Sequence, residues 1–232
     1  MLTPPTIAYE DNHLLVLGKT PGWLVQEDRT GDHTLTDWGK AYIKKNYNKP
    51  GDVFLHPAHR LDRPVSGLVI FCRTSKALER VTKMFREDQV TKEYLALVKG
   101  APENTEGKLV HWLKKDQRRN VTKGYDKEIN GAKRSELSYQ LIAADQGNSM
   151  LLVKPKTGRP HQIRVQLSKM DTPIQGDLRY GDKNANKDKS ISLHAFRLSF
   201  IHPVKKEPIQ LTCTPNGHQW QPFEQFIDEL AG

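Results

Sequence analysis

The feature that most constrains the fold is the run Gly67-Leu68-Val69-Ile70-Phe71-Cys72, which contains no strongly polar side chain. It shows neither alternating nor helical spacing, so a strand made from it must be covered on both faces. Such a strand belongs inside a sheet. Directly after it, Leu78, Val81, Met84 and Phe85 recur at three- and four-residue intervals within Ser75–Arg86, the stripe of an amphipathic helix.

The remaining pattern extends this picture. Ile7-Ala8-Tyr9 and Leu14-Leu15-Val16-Leu17 read as short strands around the turn-prone Asp11-Asn12. Leu35, Trp38, Ala41 and Tyr42 keep helical spacing after Thr34, with Asp37 placed to complete a cap. Tyr94 to Val98 is a further strand. The stretch from Lys114 to Arg134 is basic and poor in apolar residues, and no element is read in it. Strands at about 135–143 and 149–154 follow, joined by Asp145-Gln146-Gly147-Asn148. Pro160 to Lys169 suits a short helix with proline in its first turn, and Asp182 to Ser190 reads as a polar loop. Strands near 192–200 and 207–213 precede a last helix carrying Phe223, Phe226, Ile227 and Leu230. Strands outnumber helices without alternating with them. This predicts an α+β fold with a mixed, largely antiparallel central sheet flanked by helices and loops. Nothing between Thr6 and Leu230 looks like a linker, so one domain over residues 1–232 is expected.

Charge narrows the partners. With 36 basic and 27 acidic residues the net charge is +9, which concentrates polyanions near the surface and says nothing about fold. No run approaches the roughly 18 apolar residues of a membrane span, and the first residues lack a charged segment followed by an apolar one. Only two cysteines occur, Cys72 and Cys213, too few for a disulfide framework, so a reducing compartment is the simpler reading, with a single buried bridge between them as the alternative. The expectation is a cytoplasmic protein, monomeric by default, that meets a polyanion and no membrane. A Walker loop, a dinucleotide glycine fingerprint and a nucleophile elbow are all absent from the sequence. His56, His59, His161 and His194 lack cysteine partners or a helical His-Glu-x-x-His arrangement, so no metal site is expected.

Three segments carry candidate chemistry. His59-Arg60-Leu61-Asp62-Arg63-Pro64-Val65-Ser66-Gly67 sets one carboxylate among arginines at a strand entrance, either as a self-bonded turn or as a reactive group. Lys156-Thr157-Gly158-Arg159-Pro160-His161-Gln162-Ile163-Arg164 reads as a helix start that meets phosphate or as a solvated basic surface. Tyr94, within Lys92-Glu93-Tyr94, has the ordinary reading of a half-buried strand aromatic.

Taken in this order, the three segments resemble the motifs of RluA-type pseudouridine synthases. The first is similar to that family's His-Arg-Leu-Asp-x-x-Thr-Ser-Gly signature, the second to its tyrosine motif, and Gly158 to Arg164 to its third motif. Pro173-Ile174-Gln175-Gly176-Asp177 with Tyr180-Gly181 continues the likeness, and Tyr9-Glu10-Asp11-Asn12 with Leu14-Leu15-Val16 is similar to the family's first strands. Two departures stand out: Val65 replaces the usual threonine, and Gly18-Lys19-Thr20-Pro21-Gly22 replaces the commoner Asn-Lys-Pro-x-Gly. The S4-type RNA-binding domain of some relatives has no counterpart, so a catalytic domain alone is expected.

The resemblance implies an enzyme that isomerises uridine to pseudouridine in tRNA or rRNA, without a cofactor. It implies that Asp62 is the catalytic aspartate and that Arg164 pairs with it. A guanidinium suits that task better than an ammonium because its planar fork holds both carboxylate oxygens. Tyr94 would stack on the detached uracil, and Arg60 would fill the gap left by the flipped nucleotide. His59, Ile163 and Arg159 fall in the same motifs as substrate-binding candidates. Lys114, Lys115, Arg118 and Arg119 are candidates for phosphate contacts, beside the plain reading of a solvated basic face. Two rivals differ in kind: a basic RNA-binding module without catalysis, and a metal-dependent RNA hydrolase using the histidines.

Overall fold

The structure, a computed structural model, describes residues 2–232. In chain order its elements are β1 (Thr6–Glu10), β2 (Leu14–Lys19), α1 (Leu35–Asn46), β3 (His56–Pro57), β4 (Ser66–Cys72), α2 (Ser75–Arg86), β5 (Thr91–Lys99), β6 (Glu106–Asp116), β7 (Val121–Tyr125), β8 (Lys133–Asp145), β9 (Asn148–Pro155), α3 (Gln162–Lys169), β10 (Leu193–Ile201), β11 (Pro208–Thr212), a 3₁₀ turn (His218–Phe223) and α4 (Glu224–Ala231). The fold is α+β with a largely antiparallel sheet, as the pattern predicted. By contacts the chain divides into two compact units. One holds the residues up to Thr91 with Ala195–Cys213; the other holds Lys92–His194 with Thr214–Gly232.

The first unit is built around β2 and β4, which pair antiparallel from Leu14 opposite Cys72 to Lys19 opposite Gly67. Leu14 to Leu17 and Leu68 to Cys72 are completely buried, so both faces of this ribbon are covered, as the apolar run required. Leu14, Val16, Leu68, Ile70 and Cys72 pack with Ala77, Val81 and Met84 of α2. On the other face Gly39 of α1 lies against Leu15 and Leu55, close enough that a β-carbon there would collide with Leu55. Each fully buried aliphatic side chain contributes roughly 1.5–3 kcal/mol. The two helices start where the sequence places caps. Thr34 and Asp37 form a reciprocal box ahead of α1, and Thr74 accepts the Ala77 N–H ahead of α2.

In the second unit the strand order is β5-β9-β8-β6-β7, every neighbour antiparallel. The 145–148 turn that joins β8 to β9 uses left-handed backbone at Gln146 and Gly147. The stretch from Lys114 to Arg134, in which no element was read, forms the end of β6, all of β7 and the start of β8. Its order comes from the ladder between β6 and β7, which runs from Trp112 opposite Tyr125 to Asp116 opposite Val121. Backbone bonds of that kind do not depend on apolar side chains. Leu113 and Thr122 turn inward while Lys114, Lys115 and Lys123 stay exposed, so little apolar sequence marks the hairpin. Helix α3 begins at Gln162, after the expected Pro160, because His161 adopts a left-handed conformation (φ 54°). The Gln162 side chain then secures the start, its Oε1 accepting from Arg159 N–H and Thr157 Oγ1–H.

Candidate active site

In the first unit, Asp62 lies half-buried on the turn that feeds β4, and Val65 N–H donates to its carbonyl at 3.0 Å. Beneath this turn sits Lys19, only 2% exposed at the end of β2. Its Nζ donates to the backbone carbonyls of Val65 at 2.5 Å, Arg63 at 3.0 Å and Thr20 at 3.4 Å. Three donors meet three acceptors, which ties the Asp62 turn to β2 from below. Burial pushes the Lys19 ammonium down to about 7, the negative charge of Asp62 works to raise it, and Arg63 works to lower it. Two more bonds clasp the same turn: Gly22 N–H donates to the Arg63 carbonyl at 2.9 Å, and Arg63 Nε donates back to the Gly22 carbonyl at 3.0 Å. Arg63 also pairs with Asp32 at 2.7 Å.

Both departures from the family pattern find a physical setting here. Val65 contributes its backbone, as turn donor and as Lys19 acceptor, while its side chain is 2% exposed among apolar neighbours. Gly18 sits where a β-carbon would collide with Thr6 Oγ1, so a larger residue at this position requires the Thr6 side chain to move. Gly67, which ends the signature, has φ of +109° and passes so close to the Ala195 backbone that any side chain is excluded. His59 accepts the Ile70 N–H through Nε2 at 3.1 Å, with its ring 4.8 Å from that of Phe85, and Arg60 is exposed.

In the second unit, Tyr94 is half-buried on β5, opposite Val153 of β9. Arg164 is 6% exposed on α3, a helix whose residues from Gln162 to Leu167 are all buried. Ahead of this core helix, Lys156, Gly158 and Pro160 stay exposed. The Arg164 fork closes on Asp177, Nε to Oδ2 at 2.7 Å and the terminal nitrogen to Oδ1 at 2.9 Å. Asp177 is 1% exposed, and the guanidinium also lies 4.9 Å over the Tyr180 ring. Tyr180 is fixed in turn: its hydroxyl accepts the Thr122 N–H at 2.8 Å and bonds His161 Nδ1 at 2.6 Å. Ile163 is buried beside Arg164 on α3, and Arg159 reaches the Arg134 carbonyl at 3.4 Å.

The phosphate-contact candidates all belong to the β6–β7 hairpin. Lys114, Lys115, Arg118 and Arg119 are exposed, with Lys114 directly opposite Lys123. Like charges facing across a ladder are unfavourable, and a polyanion relieves them. Arg118 and Arg119 stand on a turn whose N–H groups are both accepted by Asp116 Oδ1, at 3.0 and 3.1 Å. Nearby, Glu136 gathers Arg134 at 2.7 Å, Lys156 at 3.7 Å and Lys108 at 3.8 Å, leaving an excess of positive charge. Among the described residues no group of three or more His, Cys, Asp or Glu is arranged to hold a metal ion.

Sequence reasoning gave no role to Lys19, Asp177, Tyr180 or His161, although all four stood in the quoted motifs. The signal available was a lysine at the end of an otherwise apolar strand, and an aspartate after an arginine-bearing helix.

The profile of RNA pseudouridylate synthases matches residues 13–169, which include Lys19, the Asp62 turn, Tyr94 and α3. The chain belongs to the RNA pseudouridylate synthase family. Among curated members, ribosomal large subunit pseudouridine synthase C of Buchnera aphidicola subsp. Acyrthosiphon pisum is 35% identical over 88% of this chain and 65% of its own length. The chain thus spans just under two thirds of that relative. The tRNA pseudouridine synthase C of Haemophilus ducreyi is 31% identical over 95% of both chains. Of solved structures, human RNA pseudouridylate synthase domain containing 1 superposes with a TM-score of 0.72 at 27% identity, over 92% of this chain and 84% of that one. The human domain containing 4 shares the fold, with a TM-score of 0.76 at 22% identity over 96% and 92%. Membership of this family and the α+β fold follow together.

Proposed function

We propose that the chain converts uridine to pseudouridine within structured tRNA or rRNA, with the Asp62 carboxylate carrying the reaction and no cofactor required. The observation that carries this reading is the Asp62 turn. A family signature stands there on a loop fixed by Gly67, by the Gly22–Arg63 clasp and by a buried lysine on which the Asp62 charge acts. A carboxylate held on so constrained a loop is pre-organised, as a reacting group must be.

In this reading the glycosidic C–N bond of the target breaks, the uracil turns, and carbon 5 bonds to the ribose and gives up its proton, while the freed ring nitrogen takes one up. Electrons balance without a redox partner. Arg164 pairs with the Asp62 carboxylate, its other donors braced by Asp177. Tyr94 stacks on the freed uracil and Ile163 closes the pocket, while His59 and Arg159 contact the substrate. Arg60 takes the place of the flipped nucleotide, whose extrusion costs a few kcal/mol and least in unpaired loops. Lys114, Lys115, Arg118 and Arg119 contact phosphates. The reading extends to a monomer with a single catalytic domain acting in the cytoplasm; Cys72 and Cys213 form no disulfide, in keeping with a reducing compartment. Among the described residues no helix is long and apolar enough to cross a membrane.

Mapping pseudouridines in cellular RNA with and without the protein tests the reading and chooses between tRNA and rRNA. Loss of one or a few sites, restored by the wild-type chain and not by Asp62→Asn, is the expected result. If every site persists, and purified protein also fails on unmodified tRNA and rRNA, the reading is wrong.

A further inference from the structure

The turn after α3 presents an anomaly. Leu178 is 59% exposed, the most exposed large apolar side chain among the described residues, yet its neighbours Asp177 and Tyr180 are 1% and 8% exposed. The segment is among the most firmly held in the second unit. Asp177 grips Arg164; Tyr180 N–H and Asp182 N–H both donate to the Asp177 carbonyl at 3.1 Å; and Gly176 N–H donates to Asp182 Oδ2 at 2.6 Å. On the other side of Leu178, Arg179 donates to the Asn120 carbonyl at 2.8 Å, which ties this turn to the hairpin turn bearing Arg118 and Arg119. A leucine on a rigid turn can neither fold back nor be covered by its own loop. It is fixed in water between the residue that braces Arg164 and a residue anchored to a cationic turn.

We infer that Leu178 is a substrate-binding contact for the RNA, packing against the face of an unpaired nucleobase. The inference rests on the proposed reading in that it takes RNA as the substrate. Charge complementarity names the occupant: Arg118, Arg119, Arg179 and Lys183 are exposed around or beside this turn in sequence and in contact, so a polyanion approaches here. The part of a polyanion that seeks an apolar contact among cations is a base. An aromatic base face accepts such a side chain whatever its sequence identity, and an unpaired base has that face available.

The test measures turnover and equilibrium binding of an RNA substrate by the full chain carrying Leu178→Ala, Leu178→Phe or Arg119→Ala. Leu178→Ala is expected to weaken binding and raise KM by about tenfold, with kcat within about twofold and melting temperature unchanged. Leu178→Phe restores affinity because a ring also stacks on a base. The two contacts separate by salt: Leu178→Ala leaves the slope of log affinity against log salt unchanged, whereas Arg119→Ala flattens it by about one. Wild-type binding and KM in Leu178→Ala overturn the inference, as does a loss of self-association in that variant, which would make the leucine a protein contact. Wild-type chain that binds RNA without making pseudouridine defeats the functional reading alone, because the binding arm still judges Leu178.

Discussion

Lys19 and Arg164 are both buried cations, 2% and 6% exposed, and each underlies a motif on which the proposed chemistry depends, yet their charges are met differently. Arg164 is neutralised on the spot by the Asp177 carboxylate through two parallel bonds. Lys19 receives only neutral carbonyls, three of them, and the negative charge acting on it is that of Asp62. A guanidinium cannot shed its proton, so a buried one demands a permanent anion. An ammonium can, so Lys19 tolerates burial at the cost of becoming titratable near neutrality. The second unit therefore holds a buried cation with a permanent anion beside it. The first holds a lysine whose charge is linked to the residue proposed to do the chemistry.

The largest effect expected from this difference is at Asp177. Asp177→Asn removes the buried carboxylate that holds the Arg164 fork, a loss of about 3–5 kcal/mol. Urea unfolding should show it, and a loss below about 1 kcal/mol would mean that Arg164 is not held as described. Arg164→Lys keeps the charge but breaks the fork, so it should fall between wild type and Asp177→Asn in the same experiment. Equality with wild type would show that the bidentate geometry is immaterial.

Next in size is a pH effect confined to the first unit. The folded chain holds Lys19 at about 7 because of burial, while an unfolded lysine sits near its ordinary 10.5. Between these values the unfolded state binds more protons, so this group makes stability rise as pH climbs from about 7 toward 10. Below that window the full penalty is present, and above it none remains. The gain is at most a few kcal/mol. Lys19→Met should flatten the rise measured by urea unfolding at pH 7 and pH 10, and an undiminished rise would exclude Lys19 as its source.

The smallest expected effect is the most specific. Asp62→Asn removes an attraction that favours the Lys19 charge, so the lysine should titrate lower than in wild type. Following the Lys19 ε-carbon by NMR across neutral pH reads this directly. An unchanged midpoint would show the two groups to be uncoupled.

How legible these features were in the sequence follows from what each depends on. The β4 strand announced itself because burial on both faces writes a continuous apolar run, and α2 because its stripe repeats every three or four residues. The β6–β7 hairpin was invisible because a ladder bonds through backbone, and few apolar side chains, Leu113 and Val121 among them, pack beneath it. The start of α3 was misplaced because nothing in Pro160-His161 foretells a left-handed histidine held through its ring to Tyr180, a residue 19 positions away. Within the site, the signature residues could be named since motifs preserve order and spacing. The Arg164–Asp177 pair could not, because two side chains 13 positions apart meet only once α3 and the turn after it are in place. Lys19 was overlooked for a different reason: a lysine closing a strand ordinarily points to solvent, and only the carbonyls of a distant turn make it worth burying.

The central claim is that Asp62 performs the isomerisation on the RNA the chain binds. Forming the new bond at carbon 5 expels the hydrogen there, so RNA carrying tritium at carbon 5 of uridine reports each turnover as tritiated water. Under single-turnover conditions wild-type chain should release the label from tRNA or rRNA. Asp62→Asn should release none above background while binding the same RNA with comparable affinity. Release by Asp62→Asn at the wild-type rate would contradict the account.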